Sequence, residues 1–138
     1  MKFRILSVVV LVLLMGCANS GTKQLIGSWE LIEFRLIGTG GNPVSNEKTL
    51  RDAGAIWDMK FERNGDFRQD FNMRTPDMRM EFEEGTWQAF DDSLKIEIVS
   101  DIVATELNYT YEMENEILVL SLRNPVSDAK VVTRFRKK

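Results

Sequence analysis

The sequence predicts an all-β fold: an eight-stranded antiparallel up-and-down β-barrel preceded by a signal peptide. Three observations carry it. Apolar residues recur with period two through nearly the whole chain after the leader; short turn signals alternate with longer connections; and no segment shows the 3.6-residue repeat of a convincing amphipathic helix. A chain of 138 residues has the length of one domain, and the division is a leader at 1–16, a stalk at 17–24 and a barrel at 25–138.

The strands are expected at 25–37, 56–63, 66–73, 78–90, 94–99, 106–113, 117–123 and 130–136. The first opens with Gly27-Ser28-Trp29 and is long enough to cross a barrel wall. Alternation puts Trp29, Leu31, Glu33 and Arg35 on one side and Glu30, Ile32, Phe34 and Leu36 on the other, so neither face is purely apolar. Asn64-Gly65 is a strong hairpin signal because both residues tolerate positive φ. Asp91-Asp92 and Glu114-Asn115 read as equally tight turns. The alternate connections, 38–55, 74–77 with Pro76, 100–105 and 124–129 with Pro125, are longer.

In a meander, every second connection lies at the same end. The molecule should therefore have one tightly turned end and one end carrying the longer loops. With eight strands the last runs antiparallel beside the first, which closes the sheet and leaves no open edge. A sandwich is the other architecture the pattern allows, but hairpins between nearly all neighbours favour the barrel. The stretch 78–90 is long for a straight strand, and Gly85 in its middle suggests a bulge. One extra residue there would bring Met78, Met80 and Phe82 onto the face of Trp87 and Ala89.

Ahead of the barrel, Lys2 and Arg4 precede an apolar run from Ile5 to Met15, and Gly16 precedes Cys17, which is the pattern of a secretory signal. The run is shorter than the about 20 residues a membrane-spanning helix needs. Leu14-Met15-Gly16-Cys17 resembles the lipobox of bacterial lipoproteins. The resemblance implies cleavage before Cys17 and acylation of that residue with palmitate-type chains, tethering the domain to a membrane by a lipid anchor. Residues 18–24, small and polar, read as a flexible stalk; no acidic cluster follows Cys17, which points to the periplasmic face of the outer membrane in the cell envelope.

Charge and composition remove several classes of function. Without Lys2 and Arg4 there remain 16 basic residues against 21 acidic ones, which gives no electrostatic case for nucleic-acid binding. Cys17 is the one cysteine and there is no histidine, so an intrachain disulfide, a cysteine-based metal site and histidine catalysis are excluded. Glu83 and Glu84 are adjacent on a strand and point to opposite faces, and Asp91-Asp92 is a turn. Neither pair forms a carboxylate couple, and no calcium-loop spacing exists. The expectation is a non-enzymatic protein with no cofactor and no metal.

The inward set comprises Trp57, Met59, Phe61, Phe67, Gln69, Phe71, Met73, Met80, Phe82 and Trp87 in the first half. Leu94, Ile96, Ile98, Tyr109, Tyr111, Leu118, Leu120, Val131 and Phe135 complete it. Of these, Trp57, Met59, Phe61, Phe67, Gln69, Phe71, Trp87, Tyr109 and Tyr111 are the candidate ligand-contacting lining. An eight-stranded barrel has room for packed side chains or for one small ligand, and the set fits both. Glu33, Arg35, Gln69 and the two tyrosine hydroxyls are candidates for polar contacts inside; for Glu33 and Arg35 a solvated place at the rim is the favoured reading.

The order Gly27-Ser28-Trp29-Glu30-Leu31, Phe61-Glu62-Arg63-Asn64-Gly65-Asp66-Phe67, Gly85-Thr86-Trp87, Asp92-Ser93-Leu94-Lys95-Ile96, Tyr109-Thr110-Tyr111 and Leu118-Val119-Leu120 resembles the small lipocalin-like, calycin-type domains of bacterial lipoproteins. The resemblance implies a barrel that holds a small apolar ligand. It also implies that Trp29 plugs the closed end beneath a basic residue of the last strand, Arg134 or Arg136. The alternative is an envelope lipoprotein with a filled core that contacts protein partners through loop residues Val44, Leu50 and Ile56. A ligand would enter between 38–55 and 100–105.

Overall fold

The computed structural model describes residues 20–38 and 40–138. The leader, Cys17 and its expected lipid, and the first stalk residues lie outside the described residues. The segment 20–24, read as flexible stalk, belongs to a short helix, α1 (Ser20–Leu25), that ends by burying Leu25 in the core.

The strands that follow are β1 (Gly27–Ile37), β2 (Val44–Ser45), β3 (Trp57–Phe61), β4 (Asp66–Phe71), β5 (Glu81–Phe90), β6 (Ser93–Val99), β7 (Ala104–Glu114), β8 (Ile117–Arg123) and β9 (Lys130–Lys137). From β3 to β9 each strand pairs antiparallel with the next, β1 pairs with β3, and β1 also pairs with β9 from Trp29↔Lys137 to Ile37↔Lys130. The result is a closed up-and-down barrel of eight strands. Its hydrogen-bonding is self-contained, because every one of the eight finds both neighbours within residues 27–137. The two-residue β2 is an addition that pairs with Phe34 and Arg35 where β3 has not yet joined β1.

The tight turns gather at one end. Residues 62–65 join β3 to β4, Asp91-Asp92 join β5 to β6, and Asn115-Glu116, one residue later than expected, join β7 to β8. Asp91, Asn115, Glu116 and Gly65 all have positive φ, as two-residue and similarly compact hairpins demand of the strand twist. The longer connections all lie at the opposite end.

Three features differ from the sequence expectation. First, the bulge is in β1, not β5. The β1–β9 register shifts between Leu31 and Glu33, so Trp29 and Leu31 share the inner face with Phe34 and Leu36. This explains the mixed faces of that strand: Glu33 and Arg35 point outward, where they pair with each other at 3.0 Å rather than entering the barrel.

Second, β5 is in continuous register with β4 and β6, so no parity change occurs at Gly85. Phe82 and Met80 therefore face outward and are 64 % and 51 % exposed, and Met78 lies before the strand. The glycine serves close approach instead: a Cβ there would sit 1.8 Å from the Glu97 carbonyl oxygen.

Third, the connection between β1 and β3 contains a helix, α2 (Glu47–Asp52), whose six residues are too few to show a period. Asn46 caps it, its Oδ1 accepting from the Thr49 amide at 3.0 Å. Leu50 is buried by this helix and is not an exposed anchor, whereas Val44 and Ile56 are exposed. Buried Asn72 clamps the return of the connection: its Oδ1 accepts from the Ile56 amide and its Nδ2 donates to the Gly54 carbonyl, both at 2.8 Å.

Candidate functional site

Cross-strand partners lie on the same face of a sheet, so the registers assign the barrel interior directly. Trp57, Phe71 and Glu81 form one row, and Met59, Gln69 and Glu83 the next. Phe61, Phe67, Gly85 and Ile98 form a third. On the other side Tyr111, Leu120, Thr133 and Phe34 share a row, as do Ala89, Leu94 and Tyr109. Trp87, Ile96 and Leu107 form a further row, so all nine candidate lining residues, Trp57, Met59, Phe61, Phe67, Gln69, Phe71, Trp87, Tyr109 and Tyr111, face inward.

The two ends of the barrel differ. At the tightly turned end Leu25, Trp29, Phe61, Phe67, Leu94, Leu118 and Phe135 are at most 2 % exposed, a filled base. The Trp29 indole donates to the Leu25 carbonyl at 2.8 Å, which ties α1 across the opening. The cation over its ring is Lys137, with Nζ 5.3 Å from the centroid. Arg134 faces outward and pairs with Glu114 at 2.8 Å, and Arg136 pairs with Glu30 at 2.7 Å and with Glu47 of α2 at 3.1 Å. The closed-end plug is thus Trp29 with Lys137, and Arg134 has no part in it. The physical reason is parity: β9 continues Val131, Thr133, Phe135 to Lys137 on the inner face.

At the long-loop end the inward side chains are less buried. Trp57, Leu107, Leu122 and Val131 are half-buried, and the side chains of Glu81 and Glu83 keep 27 % and 23 % of their surface. Glu83 is the second inward residue from the start of β5, so solvent reaches below the rim. Met59 and Phe135 lie deeper, and the Trp57 ring meets Phe135 edge-on at 5.4 Å between centroids, forming the floor of this shallow cup.

A polar chain lines one side of the cup. The Trp57 indole donates to Gln69 Oε1 at 2.9 Å, and Gln69 Nε2 donates to Glu83 Oε2 at 2.6 Å. Arg74, from the β4–β5 connection, donates to Glu83 Oε1 at 2.9 Å while its guanidinium lies 4.5 Å over the Phe71 ring. Glu81 is weakly served: its Oε2 is buried, has no hydrogen bond, and lies 3.8 Å from the Arg74 guanidinium. Burial, and second the Glu83 carboxylate, push the Tyr109 phenol up to about 12, so the hydroxyl stays protonated and available to donate. Burial, with Asp91 and Asp92, raises Tyr111 as well.

Gln69 and Tyr109 were legible as interior polar groups. Glu81, Glu83 and Arg74 were missed because the supposed bulge put Met80 and Phe82 inside; uninterrupted alternation backwards from Trp87 would have found both glutamates. Glu84 does face away from Glu83, towards Arg68 at 3.4 Å. Among the described residues no group of three or more Asp, Glu, His or Cys side chains is placed to hold a metal ion.

A concavity of about 800 Å³ lies at the tightly turned end, bordered by Thr22 of α1, Asn64, Lys95 and Asn108 and by two of the nine candidate lining residues, Trp87 and Tyr109. No residue of the long loops borders it, so it does not coincide with the entrance expected between 38–55 and 100–105.

No protein-family model matches the chain, and comparison with curated proteins finds no match. Solved structures do match. A lipocalin-like protein from Bacteroides uniformis superimposes with a TM-score of 0.53 at 15 % identity, covering 83 % of this chain and 99 % of that one. The fold is lipocalin-like. A second match, an uncharacterized protein from Bacteroides eggerthii, has a TM-score of 0.50 at 15 % identity over 83 % of this chain and 99 % of its own. At such identity the likeness carries the barrel alone.

Proposed function

We propose that this lipocalin-like barrel binds a small, largely apolar ligand in the cup at its long-loop end, as a non-enzymatic lipoprotein tethered through Cys17 to the periplasmic face of the outer membrane. The single observation that carries the binding role is the gradient along the inner wall: a base at most 2 % exposed beneath inward side chains that solvent reaches. The contrast lies in the large side chains: those of the base are sealed, whereas Trp57, Leu107 and Leu122 at the long-loop end are half-buried. The lipocalin-like protein of Bacteroides uniformis shares the architecture that such binding uses. The lipobox resemblance of 14–17 supports the anchor, and the position of α1 at the closed base supports a cup turned away from the membrane.

Native mass spectrometry of protein released gently from its host membrane tests the reading. A small non-covalent adduct lost on unfolding is the expected result. Bare protein that also takes up no hydrophobic probe would refute it. A second reading, an envelope protein that docks partners through its loops, draws on Ile102 and Val126, which are 91 % and 93 % exposed on the β6–β7 and β8–β9 connections. Pull-down with both residues changed to serine separates the two, since ligand uptake in the cup would survive that change.

A further inference from the structure

The inner wall of the cup has an unbalanced charge. Two carboxylates, Glu81 and Glu83, project inward from β5, and one guanidinium, Arg74, serves both. Glu83 is well satisfied by Gln69 and Arg74. Glu81 is not: its Oε2 is already out of water with no hydrogen bond, 3.8 Å from Arg74, while the side chain as a whole keeps part of its surface.

This asymmetry discriminates between occupants. An uncharged hydrocarbon over the mouth would strip water from Glu81 and offer nothing in exchange. A carboxylate would add repulsion to that loss, and Arg74, the one cation of the cluster, is already committed to Glu83. A protonated amine reverses both effects. It brings three donors and a positive charge to oxygens with free lone pairs, and its apolar body lies against Trp57, Leu107 and Leu122.

We propose that the cup selects ligands with a protonated amine on an apolar body, the ammonium bridging Glu81 and Glu83. The inference rests on the barrel holding a ligand at this end, and the test separates the two claims. The barrel domain, residues 20–138, whose strands pair entirely among themselves, is titrated calorimetrically with n-decylammonium, n-decanol and n-decanoate below their aggregation concentrations at neutral pH. Decylammonium should bind at least tenfold more tightly than decanoate, with decanol between them.

Glu81→Gln should weaken decylammonium about tenfold and leave decanol unchanged or improved. Arg74→Gln, which removes the competing cation, should strengthen decylammonium several-fold and provides a second test should Glu81→Gln fail to fold. Equal affinities, a preference for decanoate, or decylammonium binding indifferent to both substitutions would overturn the amine assignment while leaving a ligand-holding barrel intact. If none of the three probes binds, both claims fall.

Discussion

Replacing Gly85 with alanine puts a methyl group 1.8 Å from the Glu97 carbonyl oxygen, 2.8 Å from its carbon and 3.0 Å from the Ile98 Cα. All three are backbone atoms of β6, so no rotamer change relieves the contact. Ordinary contact begins near 3.4 Å, which requires β5 and β6 to separate locally by about 1.6 Å, a third of the roughly 4.8 Å spacing between strands. Overpacking of this kind costs about 3 kcal/mol or more, and each ladder hydrogen bond it breaks adds about 1 kcal/mol. The stiffer unfolded chain returns about 0.4–1 kcal/mol. A net loss of about 3 kcal/mol is a large share of the 5–15 kcal/mol typical of a domain. In urea, with a slope of about 1.5 kcal/mol/M, the midpoint of the barrel domain should fall by about 2 M. A fall below about 0.3 M would show that Gly85 sits at a tolerant bulge after all, and that the continuous register of β5 is wrong.

Trp29→Ala should cost about 3–5 kcal/mol by opening the filled base, measured as a lowered thermal midpoint; an unchanged melt would remove Trp29 from the core. A double-mutant cycle of Trp29→Leu with Lys137→Gln should return a coupling of about 0.5–1 kcal/mol, and the same cycle with Arg134→Gln about zero, since only Lys137 lies over the ring. Asn72→Ala should cost about 2 kcal/mol by orphaning the Ile56 amide and the Gly54 carbonyl; hydrogen exchange at Ile56 would rise with it. Tyr109 is the titration marker. Its folded value lies above the unfolded value near 10, so the stability it supports is complete below pH 10 and is lost as pH climbs to about 12. Ultraviolet titration should show a tyrosine that resists ionisation up to about 12, and a normal titration would contradict its burial.

The barrel was legible because its signals are local. Period-two alternation marks every wall strand, and Asn64-Gly65 and Asp91-Asp92 restrict the chain to hairpins whose ends sort themselves. What misled was parity. A glycine inside a strand marks a bulge or a close backbone approach equally well, and the apolar Met80 and Phe82 argued for the first; the neighbour that decides, the Glu97 carbonyl, is supplied by another strand. The bulge that does exist, beside Ile32 in β1, leaves no turn residue to announce it, only the polar Glu33 and Arg35 on a face that would otherwise point inward. The same parity error hid Glu81 and Glu83, and with them the polar half of the cup. Lys137 was overlooked for a simpler reason: the last strand runs one residue further than expected, to 137. α2 has local signals, the Asn46 cap and the i,i+4 pairs Glu47–Arg51 and Lys48–Asp52, but is too short to show a period and is held by Arg136 to Glu47; β2 is held through Phe34 and Arg35.

Which end of the barrel takes up an apolar molecule is the most direct test. Amide and side-chain chemical shifts of the barrel domain, followed while n-decylammonium is added, answer this residue by residue. The account predicts perturbations concentrated on Trp57, Gln69, Glu81, Glu83, Leu107 and Leu122. Perturbations centred on Thr22, Asn64, Phe90 and Lys95, the concavity at the tightly turned end, would contradict it.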